Sequence, residues 1–294
     1  MALHPQARAA VAAYAAEVPV FDPAFDIKAS RAAAREVAAA EPREPVDEVV
    51  DVDADGVPCR LYRTDGADGL VVHLHGGGFV FHDVDVHDAA ARRLANRAGM
   101  AVLSVDYRRP PEHRFPAAPD DVDTALRWLA REGAALGLDV PTYVHGDSAG
   151  GNLALVAALR NPGRFAAVAL LYPFLDPTAG FESYRTVPDG FDAREAAWYW
   201  QQYADPADLR SPDLAPLLSD RLGTLPPTLV VTAEHDPLRD EGEELVRRLA
   251  EEGVEVVGTR YLGQVHGFWR HPGGFDAAEP AMRQVAAFLR QHRG

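Results

Sequence analysis

Cysteine is nearly absent. The sole thiol is Cys59, so no intramolecular disulfide can form, which is compatible with a reducing, cytoplasmic compartment. Long apolar runs are missing too. No stretch of about 18 apolar residues occurs, so no transmembrane helix is expected. The alanine-rich stretch from Ala9 to Ala16 has no strong basic segment before it, and Glu17 interrupts it. It reads as an amphipathic helix, not a signal peptide. Positive charge is in deficit: 29 Lys and Arg stand against 44 Asp and Glu, a formal net charge of -15. Such a surface repels phosphate backbones and argues against nucleic acid as a partner.

What is present is globular. Hydrophobic residues make up 47% and charged residues 25% of 294 residues. A chain of this size buries a large core without disulfide or metal. The first 45 or so residues carry two helical patterns, about Gln6–Val18 and Ser30–Ala40, separated by a loop holding Pro19 and Pro23. From Val46 the texture changes. Short valine- and leucine-rich runs predict strands over Val46–Val52, Pro58–Arg63, Leu70–Leu74, Val102–Asp106, Thr142–His145, Ala167–Leu171, Thr228–Thr232 and Val254–Tyr261. Helical patterns fall over Val86–Ala98, Asp120–Arg131, Ala149–Leu159, Asp240–Glu252 and Ala277–Arg290. Strands alternating with helices indicate an α/β fold with a mostly parallel sheet. The alternation breaks between Asp176 and Ser219, where Phe181, Tyr184, Phe191, Trp198, Tyr199, Trp200 and Tyr203 cluster. This segment is expected to be an insertion over the carboxyl end of the sheet. It leaves residues 46–175 and 220–294 as the core.

The chemistry-bearing stretch is Gly146-Asp147-Ser148-Ala149-Gly150, a G-x-S-x-G between a β-rich run and an alanine/leucine helix. A nucleophile elbow requires that strand–turn–helix context. Ser148 would occupy a strained turn. Gly146 and Gly150 would let strand and helix approach closely. The competing reading is a glycine-rich turn with a serine N-cap. Upstream, His75-Gly76-Gly77-Gly78 ends a strand. Three glycines let the backbone present N–H groups where an acyl-transfer oxyanion develops. Gly77, Gly78 and Ala149 are the expected donors, Gly76 shapes the loop, and His75 supports it from beneath. A phosphate cradle would need the lysine of a G-x-x-x-x-G-K motif, which is lacking. His73, His75, His82 and His87 could suggest a metal cluster, but there is no H-E-x-x-H and no cysteine pair. No metal ligation or cofactor is expected.

In this order of elements an acid and then a histidine follow the serine. His235, His266, His271 and His292 lie downstream. His266, in a loop after the last strand, is the expected base. Asp236, after the strand Thr228–Thr232 and before Pro237, is the expected acid, with Glu234 its rival. Asp240 and Glu241 suit the start of the next helix.

Taken together, these pieces resemble the bacterial hormone-sensitive-lipase-like esterases of the α/β-hydrolase fold, in the G-D-S-A-G branch. The likeness rests on His75-Gly76-Gly77-Gly78, the run Asp106-Tyr107-Arg108-Arg109-Pro110 through Ala117, and Gly146 through Asn152. It also rests on Tyr172-Pro173, Asp236 through Gly242, and His266-Gly267-Phe268. Arg109-Pro110 stands where members often carry leucine-alanine. The resemblance implies an eight-stranded sheet with a helical cap, built from residues 1–45 and 176–219. It also implies hydrolysis of short- to medium-chain acyl esters of small molecules without a cofactor, and homodimers in many members. Asp147 would support the loops of the site. An amidase or peptidase with the same three residues, or a non-catalytic ligand-binding relative, are the alternatives.

Overall fold

A computed structural model describes residues 2–187 and 189–293. Met1, Pro188 and Gly294, inside the ranges expected above, lie outside it. Two helices come first, α1 (Pro5–Tyr14) and α2 (Ile27–Ala39). The hairpin β1 (Glu48–Ala54) and β2 (Val57–Arg63) follows. Then β3 (Leu70–Leu74), α3 (Asp88–Ala98), β4 (Ala101–Val105), α4 (Ala117–Glu132), β5 (Thr142–Asp147), α5 (Ala149–Arg160) and β6 (Val168–Leu171) alternate. After α6 (Ser183–Thr186) and α7 (Ala193–Tyr203) the alternation resumes with β7 (Thr228–His235), α8 (Arg239–Glu251), β8 (Val256–Val265) and α9 (Ala278–Gln291).

The eight strands form one sheet in the order β1-β2-β4-β3-β5-β6-β7-β8. Among the described residues only the β1–β2 and β2–β4 pairings are antiparallel. Every residue of β3 through β6 is buried, because helices cover both faces. Side chains alternate between two cores. Leu70, Val72 and Leu74 join one that includes Leu126, Leu153 and Leu245 from α4, α5 and α8. Val71 joins the other, with Leu94 and Met282 from α3 and α9.

Two strand ends differ from the sequence reading in a way that matters for the site. β7 runs on to His235 and β8 to Val265, and the two remain paired there, His235 against Val265, across an irregularity. Asp236 and His266 are therefore the first residues beyond two adjacent strand ends, at the carboxyl edge of a parallel pair. The first helix ends at Tyr14, earlier than the Val18 expected.

The turn from β5 into α5 is tight. Ser148 has φ 55° and ψ -121°, a left-handed backbone that an L-residue adopts only under constraint. A Cβ on Gly146 would lie 2.1 Å from the Gly150 carbonyl oxygen, and one on Gly150 would lie 2.0 Å from that of Leu74. The obstacles are backbone atoms, so no rotamer relieves them. Gly150→Ala is therefore expected to lower stability by about 1–3 kcal/mol or more, read as a shift in the urea midpoint. A wild-type midpoint would contradict the close approach.

Candidate active site

Ser148 sits in the β5–α5 turn and is 7% exposed. Its Oγ lies 2.9 Å from His266 Nε2. His266 Nδ1 lies 2.8 Å from Asp236 Oδ2. Asp236 is fully buried, and its other oxygen accepts the Leu238 N–H at 2.9 Å. The three side chains expected from sequence thus form one hydrogen-bonded chain, contributed by the ends of β5, β7 and β8.

The rival residues are bound elsewhere. Glu234 accepts the Gly263 N–H at 2.7 Å. His235 Nδ1 pairs with Asp189 at 2.8 Å, and His271 lies 3.3 Å from Glu41. His292 is near Glu255, at 3.7 Å.

The glycine loop after β3 is tied to the serine turn. Gly76 donates its N–H to Asp147 Oδ1 at 3.0 Å. Gly77 and Gly78 have φ of 117° and 58°, conformations glycine takes without steric cost. The Gly77 carbonyl accepts from Val80 and Phe81 N–H at 3.1 and 2.7 Å, closing the turn. Ala149 begins α5, where N–H groups lack intrahelical partners. His75 lies beneath the loop. Its ring stacks on Tyr107 at 4.2 Å, its Nδ1 bonds the Gly76 carbonyl at 2.9 Å, and its own carbonyl accepts the Tyr107 hydroxyl at 2.6 Å. Tyr107 went unremarked in the sequence, though it falls within the quoted run after Asp106.

Glu241 does more than begin a helix. It does sit in the first turn of α8, as expected, but it is fully buried. Its carboxyl accepts from Leu175 N–H at 2.6 Å, Asp176 N–H at 3.2 Å and the Tyr184 hydroxyl at 3.1 Å. Burial pushes its pKa well above the usual carboxylate range. It pins the start of the segment that follows β6.

Charges around the site are set by burial and by one carboxylate. For His266, burial disfavours the imidazolium, yet the charge and hydrogen bond of Asp236 outweigh it, aided by Asp147 and Glu195. The pKa is raised above the ordinary 6.5. Five other histidines shift the opposite way. Burial lowers His73 and His75 to about 3 and holds His82, His87 and His145 well below 6.5. Asp147 is raised by burial.

The histidines weighed above as metal ligands are divided. His73, His87 and Asp147 form one buried group whose ligand atoms lie within 4.8 Å of one another. His73 Nε2 and His87 Nδ1 share a hydrogen bond at 3.2 Å, and Asp147 Oδ1 holds the Gly76 N–H. The atoms a metal would take are engaged with one another and with the glycine loop. On its other side His73 bonds His145 at 2.9 Å.

The aromatic residues after β6 also divide. Trp200 and Tyr203 are core; Tyr203 stacks on Phe79 at 3.8 Å and Trp200 packs on Phe174 at 4.4 Å. Phe191, Trp198 and Tyr199 are half-buried. Phe191 lies 5.4 Å from the His266 ring, and Trp198 lies 6.1 Å from Phe81. Among the described residues no helix is long and apolar enough to cross a membrane.

Comparison with known proteins agrees with this geometry. A family model described as the α/β hydrolase fold matches residues 71–270. The ethyl acetate hydrolase of Pseudomonas putida is 36% identical over 254 residues, covering 82% of this chain and 80% of that one. A hyperthermophilic esterase from the archaeon Pyrobaculum calidifontis superposes with a TM-score of 0.90 at 38% identity, over 99% of both chains. An esterase described as belonging to the bacterial hormone-sensitive lipase family superposes at 0.87 with 28% identity, over 100% of both. With sheet order, serine turn and glycine loop in place, the chain belongs to the α/β-hydrolase family, among its hormone-sensitive-lipase-like esterases.

Proposed function

We propose that this carboxylic ester hydrolase works through an acyl-enzyme formed on Ser148. The observation that carries the reading is the unbroken hydrogen-bonded chain from Ser148 Oγ through His266 to buried Asp236. With its Nδ1 proton held toward Asp236, His266 offers Nε2 as a base to the serine hydroxyl. Oγ attacks the ester carbonyl. The N–H groups of Gly77, Gly78 and Ala149 receive the developing oxyanion. His266 then gives its proton to the departing alkoxide. Water, deprotonated by the same imidazole, releases the acid and restores the serine.

The substrates proposed are short- to medium-chain acyl esters of small molecules. The helices of residues 1–45 and the segment 176–219 are proposed to act together as a cap over the serine. Contacts between them support this. The Tyr14 hydroxyl of α1 donates to Glu195 of α7, and Phe25 lies edge-on to Phe81 at 5.9 Å and Trp198 at 6.3 Å. Arg31 Nε of α2 also ties the first segment to the loop after β3, donating to the Val80 carbonyl at 2.8 Å.

Ser148→Ala or His266→Ala is expected to lower kcat on p-nitrophenyl acetate roughly 10⁶-fold, and Asp236→Asn about 10⁴-fold. Ser148→Ala should also lose labelling by a fluorophosphonate. Turnover near the wild-type rate in the serine variant would reject the assignment.

The raised pKa of His266 sets a pH signature. The base must be neutral, so kcat/KM should fall in acid with a midpoint above the ordinary 6.5. Asp236→Asn removes the charge that favours the imidazolium, so the midpoint of its residual activity should move down. An acid limb unchanged by that substitution would contradict the electrostatic account.

A further inference from the structure

One ring of the half-buried trio is held in place at both its face and its tip. Tyr199 of α7 lies directly on Gly78, where an added Cβ would come within 2.2 Å of the ring Cδ1 and 2.3 Å of Cε1. Its hydroxyl donates to Glu195 Oε1 at 3.1 Å. The second oxygen of Glu195 accepts the Tyr14 hydroxyl from α1. Phe81 packs edge-on to the Tyr199 ring at 6.0 Å, and Phe191 packs at 6.1 Å. Swinging the ring aside would break a part-buried hydrogen bond and strip it of two aromatic neighbours.

Two half-buried rings, Phe191 beside His266 and Tyr199 on the glycine loop, stand where they would bound different parts of an ester. His266 hands its proton to the departing oxygen, so the alcohol leaves along the side where Phe191 lies against the imidazole, at 5.4 Å. The carbonyl oxygen turns toward the glycine loop. A ring resting on Gly78 therefore faces the acyl side. The geometry points to Tyr199 as the residue that limits acyl length and favours esters of short carboxylic acids, with Glu195 and Tyr14 as positioning residues that hold its ring down. This rests on the ester-hydrolase reading of the site.

The test measures kcat/KM of the full chain on p-nitrophenyl acetate, butyrate and octanoate, with active enzyme counted by fluorophosphonate titration. The wild type should favour acetate or butyrate over octanoate. One methylene in an apolar pocket is worth roughly tenfold or more. Tyr199→Ala should therefore raise the octanoate-to-acetate ratio by at least about tenfold. Tyr199→Phe, which keeps the ring but loses its hydroxyl bond to Glu195, should raise the ratio far less than Tyr199→Ala and no less than Tyr14→Phe. Tyr14→Phe should raise the ratio less, mainly by lowering KM for octanoate. If Tyr199→Ala yields no titratable enzyme, Tyr199→Leu carries the test and should raise the ratio in the same direction. A ratio unchanged when the ring is removed, or a wild type that already prefers octanoate, overturns the assignment. Ser148→Ala separates the two readings. Activity surviving in it would reject the site itself, whereas an inactive serine variant beside an unaltered Tyr199→Ala ratio would reject the role of Tyr199 alone.

Discussion

The structure depends on one close approach of backbone to backbone. The β5–α5 turn presses against the carboxyl end of β3, and two glycines without Cβ atoms make the contact feasible. Once Gly150 packs against the Leu74 carbonyl, Ser148 is forced into a left-handed conformation. The same contact brings Asp147 within reach of the Gly76 N–H. The serine and the glycine loop are thus registered against each other by main-chain geometry, before any substrate is present. Parallel pairing then brings the ends of β7 and β8 to the same edge of the sheet. Asp236 and His266 need only be the next residues along.

Burial alone makes a histidine a poor proton acceptor. It does so for His73, His75, His82, His87 and His145. His266 differs because a buried carboxylate bonds it directly. Desolvation and a neighbouring anion act in opposite directions on an imidazole, and here the anion prevails. That separation gives one histidine a working pKa in a neighbourhood where five others stay neutral. His73, His87 and His145 serve instead as hydrogen-bonding links between β3, β5 and the loop before α3.

Much of this was legible in the residues themselves. The central strands β3 to β6 announced themselves as short apolar runs, because strands buried on both faces carry few polar residues. Ser148 stood out through its glycines, and His266 and Asp236 through their order after it. The exact strand ends were harder. β7 and β8 continue through Ala233-Glu234-His235 and Leu262-Gly263-Gln264-Val265, where polar residues and a glycine mimic a loop. Their pairing, with His235 against Val265 across an irregularity, keeps these segments in the sheet. Glu241 read as a helix-start acid, since nothing local reveals that it lies beneath Leu175 and Tyr184. The aromatics after β6 could not be sorted by counting. Trp200 and Tyr203 face Phe79 and Phe174, while Tyr199 faces Gly78, a distinction set by the rotation of α7.

The central claim is that Ser148 and His266 act as a single proton-transferring unit, and a double-mutant comparison tests it most directly. Single-turnover and steady-state rates would be measured for Ser148→Ala, His266→Ala and the variant carrying both. Residues that work as one unit lose nearly everything at the first substitution, so the double variant should be no slower than either single one. Losses that multiply, leaving the double variant far below both singles, would mean the two side chains act independently and would contradict the account.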